Sequence, residues 1–236
     1  MGKFEVEGGI PLKGTVQVGG SKNAALPIIC ASLLTKEEVV LENVPDIEDV
    51  HAMIEILRSL GSKISFSKNT LTIDSKTLKK SSALPENLIK KMRASILIIG
   101  PLLARLGEVE MDFPGGCVLG KRSVQAHTHA LKCLGAKILD DTRGLHLATK
   151  QIIGATIVLP ELSVTATENA VMASVLAKGE TEIRLAAAEP HVQDMCLFLN
   201  KMGAKISGIG TNILKIKGVN SLKGVKYKIT GDYLEA

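Results

Sequence analysis

Three near copies of one pentapeptide, Leu60-Gly-Ser-Lys-Ile64, Leu134-Gly-Ala-Lys-Ile138 and Met202-Gly-Ala-Lys-Ile206, recur along the chain. Repetition on this scale means that one supersecondary unit is copied, and that no copy buries its apolar face without its neighbours. Before each pentapeptide an amphipathic pattern predicts a helix, over 47–60, 124–134 and 191–202, stopped by glycine at a left-handed turn. Further upstream, each copy carries a wholly apolar helix (23–34, 92–106, 167–177) and a short strand (38–41, 108–112, 181–185). A hairpin closes each unit, as in 205–207 and 213–216 around Gly208 and Gly210. The predicted order is α-β-α-β-β three times over, and the predicted class is α/β, with the apolar helices packed together.

A further strand pattern, Leu-Lys-Gly or its like, appears at 12–18, 153–158 and 222–229. After the first two, a short loop leads into an apolar helix. After the third the chain runs Gly231-Asp-Tyr-Leu-Glu-Ala236, so the expectation is a sequence that stops in mid-repeat. The alternative is that 225–229 is a closing strand.

Apolar residues make up 45% of the chain but aromatics only 3%, with no Trp, so the core has to be aliphatic and alanine-rich. Cys30, Cys117, Cys133 and Cys196 show no metal-ligand spacing, which excludes a zinc motif and a disulfide framework and fits a reducing cytoplasm. The charged, extended N-terminus is unlike a signal peptide. The longest uncharged runs, 23–35 and 94–104, fall short of the roughly 20 residues a membrane span needs and read as buried helices. A net charge of +5 without an Arg-rich stripe points to small anionic ligands rather than nucleic acid or membrane.

The stretch Phe113-Pro-Gly-Gly-Cys-Val-Leu-Gly-Lys-Arg122 sets one thiol among glycines and beside two cations. Glycine lets backbone approach a ligand, and cations favour the thiolate. The spacing leaves two readings open: Cys117 as a reactive thiol beside an anion site, or a small buried cysteine on a turn. Cys30, Cys133 and Cys196 fall within helical apolar patterns and read as core.

These motifs together resemble the enolpyruvyl transferases, specifically the branch that acts on UDP-N-acetylglucosamine. The matching pieces are Gly19-Gly-Ser-Lys-Asn-Ala-Ala-Leu-Pro27, Asn43-Val-Pro45, Met92-Arg-Ala-Ser95, Pro114-Gly-Gly-Cys-Val-Leu-Gly-Lys-Arg122 and Glu189-Pro190. The cysteine loop separates this branch from the shikimate-type relatives. The resemblance implies an inside-out, barrel-like α/β fold of two lobes, with helices within and sheets outside. On that reading 21–229 form one lobe of three repeats, 1–20 are the leading strand of a second, and 230–236 its interrupted continuation. A separate C-terminal half would complete it. The implied substrates are phosphoenolpyruvate and UDP-N-acetylglucosamine, and the implied reaction opens peptidoglycan synthesis without cofactor or metal.

By resemblance, Lys22, Asn23, Arg93 and Arg122 hold phosphoenolpyruvate, with Asn23 also near the sugar. Cations and helix N-termini suit its phosphate and carboxylate. The segment Ser123, Val124, Gln125 and Ala126 matches the contacts to the nucleotide base, and Ser163 and Val164 those to the diphosphate. His127 lies near the site; taken alone, a histidine inside an amphipathic helix is more often structural. Cys117 becomes the acid that protonates the methylene carbon and the thiol that epoxides alkylate. Glu48, Thr165, Ala188 and the stretch 232–235 depart from the pattern, and no carboxylate here takes the role of the base that deprotonates the sugar. The competing reading is a single-lobe module that binds the nucleotide sugar without turnover.

Overall fold

The computed structural model describes residues 3–11, 13–79, 84–115, 123–142 and 144–236. The first unit comprises α1 (Lys22–Ala31), β1 (Val39–Glu42), α2 (Glu48–Ser59), β2 (Lys63–Ser67) and β3 (Thr70–Asp74). The second has a short α3 (Glu86–Ile89), then α4 (Ile99–Leu106), β4 (Glu108–Asp112), α5 (Gln125–Cys133), β5 (Lys137–Asp140) and β6 (Gly144–Ala148). After β7 (Thr156–Val158) come α6 (Val164–Ser174), β8 (Glu180–Arg184), α7 (Pro190–Lys201), β9 (Lys205–Ser207), β10 (Ile213–Lys217) and finally β11 (Lys226–Lys228). Helices α1, α4 and α6 are largely buried and form the centre, while the sheets bury alternate residues against them. This is the inside-out α/β arrangement.

The three repeated glycines do the same mechanical job. Gly61, Gly135 and Gly203 have φ of 94°, 93° and 104°, a region costly for a side chain. Each donates its N–H to the carbonyl three residues back (Arg58 2.9 Å, Lys132 2.9 Å, Asn200 3.0 Å). The next residue donates to the carbonyl five back (Ser62 to Leu57 3.1 Å, Ala136 to Leu131 3.0 Å, Ala204 to Leu199 3.0 Å). These paired bonds are the Schellman arrangement, and they aim each outer helix into its hairpin.

The sheets interleave the units. Each is built around a three-stranded antiparallel set, β1-β3-β2, β4-β6-β5 or β8-β10-β9. To two of them a strand is added in parallel from the preceding connection: β7 beside β8 and β11 beside β1. In the remaining sheet, Leu84 N donates to Glu110 O at 3.2 Å from the equivalent connection. Because β11 follows the third unit and joins the sheet of the first, the three units close into a ring.

Four expectations need correction. Of the strand expected over 12–18, the described residues 13–18 form none: Val16 is 86% exposed, and among the described residues no ladder runs beside this segment, which a strand requires. The second apolar helix is divided, with a 3₁₀ stretch Arg93–Ile98 leading into α4. Pro101 explains this, since it has no N–H for the Leu97 carbonyl and its ring crowds that oxygen. The third apolar helix begins at Val164, three residues earlier than the apolar pattern indicated. Cys133 is half-exposed instead of core, at the margin of the α5 apolar stripe, 3.8 Å from His129 Nε2.

Candidate functional site

The starts of the central helices converge. A cavity of about 250 Å³ is lined by Asn23, Leu26 and Pro27 from α1, Ala94 and Leu97 from the 3₁₀ stretch, Val164, Thr165 and Glu168 from α6, and His191 from α7. Unpaired N–H groups at a helix start carry partial positive charge and attract anions. Ser163 caps α6, its side chain accepting from Ala166 N at 3.4 Å. Arg93, next to the lining residue Ala94, donates from Nη2 to the carbonyl of Ser123 at 2.9 Å. That bond fixes the turn of Ser123 and Val124 immediately before α5. Ser123 Oγ then accepts from Gln125 N at 3.0 Å, while Ala126 is buried in the first turn.

Behind Arg93 a buried polar chain links the second and third units. Asn169 Oδ1 accepts from Gly100 N at 2.8 Å, which identifies the amide nitrogen on the other side. Asn169 Nδ2 donates to Ile96 O at 2.9 Å and to His127 Nδ1 at 3.0 Å. The proton of a neutral His127 therefore sits on Nε2, which faces Thr165 Oγ1 at 3.2 Å. Burial and the Arg93 charge push the His127 pKa down to about 3, consistent with a neutral ring that accepts at one nitrogen and donates at the other. The chain depends on close helix packing: a Cβ on Gly100 would come within 2.6 Å of Asn169 O.

The carboxylates were not foreseen by sequence reasoning. Glu168 is 1% exposed within the buried run 166–174 of α6, and among the described residues its Oε1 has no hydrogen-bond partner. Burial, helped by the Glu189 charge, raises its pKa well above the ordinary value. Among the described residues His191 Nδ1 is likewise buried without a partner, and its ring stacks on Tyr233 at 6.2 Å. Burial lowers the His191 pKa, against the opposing charges of Glu189 and Asp232. Asp232 caps α1 from far along the chain, Oδ2 accepting from Lys22 N at 3.3 Å, while Ser21 Oγ is left unpartnered. No local motif announces a cap supplied over this sequence distance.

The structure does not bring all the sequence-predicted residues together. Lys22 Nζ lies 3.4 Å from Asp49 Oδ2 and borders a different cavity, with Asn43, Asp46 and Glu235, whereas Asn23 faces the cavity at α6. Val164 and Thr165 share the α6 cavity with Asn23, and Arg93 meets Ser123 at the turn before α5. Cys117 and Arg122 lie outside the described residues. Among the described residues no cluster of His, Cys, Asp and Glu could hold a metal ion, and no helix is long and apolar enough to cross a membrane.

The sequence family described as EPSP synthase (3-phosphoshikimate 1-carboxyvinyltransferase) matches residues 6–236. A Treponema denticola protein named UDP-N-acetylglucosamine 1-carboxyvinyltransferase is 48% identical over 236 residues, which is all of this chain and 55% of the relative. The protein of the same name from Borreliella burgdorferi is 46% identical, again with 55% of its length matched. The chain thus spans about half the length of the curated relatives it matches. Among solved structures, the enolpyruvyl transferase NikO from Streptomyces tendae superimposes with a TM-score of 0.81 at 22% identity, covering 97% of this chain and 54% of that one. EPSP synthase from Acinetobacter baumannii gives 0.74 at 21%, covering 92% and 50%. At these identities the superpositions establish the fold.

Proposed function

Because the chain belongs to the EPSP synthase (3-phosphoshikimate 1-carboxyvinyltransferase) family, we propose that it forms the nucleotide-sugar-holding part of an enolpyruvyl transferase. The reaction is transfer of the enolpyruvyl group of phosphoenolpyruvate to the 3-hydroxyl of UDP-N-acetylglucosamine, with release of phosphate. The observation that carries the choice of acceptor is the 48% identity along the whole chain to a protein bearing that activity in its name. The geometry supports it: the starts of α1 and α6, the latter capped by Ser163, gather around one cavity, as an oxygen-rich anionic ligand requires.

On this reading the backbone of Ser123, Val124, Gln125 and Ala126 faces the base, and Ser163 with Val164 the diphosphate. Arg93 and Arg122 take phosphate oxygens, and Lys22 and Asn23 meet phosphoenolpyruvate. Lys22 then has to exchange Asp49 for the ligand, a small cost for an exposed ion pair. Cys117 delivers a proton to the methylene carbon while the sugar oxygen adds at the neighbouring carbon. Elimination of phosphate with loss of one methyl proton restores the double bond. Residues 21–229 act as one lobe, and the wall opposite the cavity, with the base for the sugar hydroxyl, comes from a further lobe or polypeptide. Peptidoglycan synthesis in the cytoplasm belongs to the same proposal.

A non-catalytic single-lobe binder is favoured for this chain by itself, because stabilising the transition state needs groups on both walls of a cleft and the chain spans 55% of the relative's length. Epoxide alkylation of the native protein tests the shared part of both readings. Cys30 and Cys196 are buried with thiols pushed up, Cys196 to about 12, and serve as controls. Modification concentrated at Cys117 and altered by UDP-N-acetylglucosamine is expected; equal modification of all four cysteines would overturn it.

A further inference from the structure

We propose that Thr165 and Glu168 form the floor of the cavity at the start of α6 and hold an oxyanion of the ligand, a carboxylate or phosphate oxygen, through two uncharged O–H donors. The inference rests on the proposed reading for where a ligand lies, but not for which ligand it is.

Thr165 supplies the first donor. Its Oγ1 already receives the Nε2–H of His127, so its own proton has to be directed elsewhere. Among the described residues no acceptor for that proton is found, and the side chain borders the cavity. The direction is imposed from behind: Gly100 N–H orients Asn169, Asn169 fixes His127 as the Nε2-protonated tautomer, and His127 fills the Thr165 lone pair. Asn169 and His127 are positioning residues, acting through Thr165.

Glu168 supplies the second. A side chain that is 1% exposed, with an oxygen that finds no partner among the described residues, carries an unmet hydrogen-bonding capacity that costs free energy unless something occupies the cavity it lines. An ionised Glu168 beside Glu189 would repel an oxyanion. A neutral one donates to it, and the ligand's charge then tightens Glu168's hold on its proton. An uncharged donor suits this place because the starts of the central helices already direct partial positive charge at the anion. A volume of about 250 Å³ admits a carboxylate or phosphate group but not a nucleotide.

The test uses the whole chain and two free anions, inorganic phosphate and acetate, so that failure to bind a nucleotide sugar and failure of this inference are separate results. Infrared difference spectra between wild type and Glu168→Gln at neutral pH should contain a protonated-carboxyl C=O band belonging to Glu168. That band should shift on adding phosphate, if the floor reads phosphate, or only on adding acetate, if it reads carboxylates. Thr165→Val should weaken binding of the effective anion on the order of tenfold or more, and Thr165→Ser should restore it to within about threefold. The His127 ring nitrogens, followed by NMR, should keep the Nε2–H tautomer and respond to the anion in wild type and Thr165→Ser but not in Thr165→Val. Absence of a protonated Glu168 band, a band that neither anion moves, or a Thr165→Val protein that binds like wild type would each overturn the proposal.

Discussion

Asn169 Nδ2 lies 3.0 Å from His127 Nδ1, and this bond joins α6 to α5 directly beneath the candidate site. The same nitrogen also donates to Ile96 O, so both of its protons are committed. Replacing Asn169 by Asp puts an acceptor where two acceptors already point. We expect a loss of about 1–3 kcal/mol in urea unfolding, the cost of buried polar groups left unmatched. The His127 ring should be driven toward protonation on Nδ1, which a histidine NMR titration would register as a raised pKa.

Close packing of α4 on α6 is the second dependence. Gly100→Ala would bring a methyl to 2.6 Å from Asn169 O and 2.9 Å from its Oδ1, both on the helix that carries the site. The helix propensity of alanine favours the substitution by up to about 1 kcal/mol. The clash with backbone should win, because overpacking a tight interior costs about 1–3 kcal/mol and here the neighbour is main chain. A lowered urea midpoint with weakened ligand binding is expected; a stabilised protein would contradict this packing.

The pH dependence of stability should have two limbs of different origin. His127 has a folded pKa lowered from 6.5 to about 3, so between these values the unfolded chain binds a proton that the folded chain refuses. Stability is therefore present above about pH 6.5 and is lost as pH falls through this window, by up to about 1.4 kcal/mol per unit. Glu168 acts in the opposite sense. Its folded pKa is raised well above 4.5, so the folded protein keeps a proton that the unfolded chain releases, and stability declines as pH rises above that value. Glu168→Gln should remove the second decline, so that its urea midpoint overtakes that of wild type as pH rises. His127→Gln should flatten the first.

One turn along α7 from His191, Tyr227 Oη donates to Asp194 Oδ1 at 2.6 Å, and Thr230 N donates to Oδ2 at 3.1 Å. This carboxylate ties α7 to β11, the strand that closes the ring of sheets. Tyr227→Phe should cost about 1.5–3 kcal/mol, the range for a hydrogen bond to a charged group, with little change in the cavity at α6. Thermal unfolding combined with anion binding separates the two effects.

What could be read in the sequence was local. The glycines at 61, 135 and 203 specify helix ends by backbone chemistry alone, and alternation within the strands marks which face is buried. The segment 12–18 has the strand pattern, but its described residues 13–18 form no ladder, because pairing depends on a neighbour that the pattern cannot supply. The Asp232 cap on α1 and the Asp49 partner of Lys22 join residues distant in sequence or on different elements. The buried Glu168 sits in a run whose apolar surroundings suggest only core. The tautomer of His127 follows from three contacts on two other helices, none of which its own helix reveals.

Titration of the isotope-labelled chain with UDP-N-acetylglucosamine, followed by amide NMR shifts, tests the central claim most directly. A lobe that holds the nucleotide sugar should show saturable shifts centred on Asn23, Ser123–Ala126 and Ser163–Val164, with or without turnover. The absence of saturable change, or shifts confined to the outer faces of the sheets around Glu180 and Lys215, would contradict it.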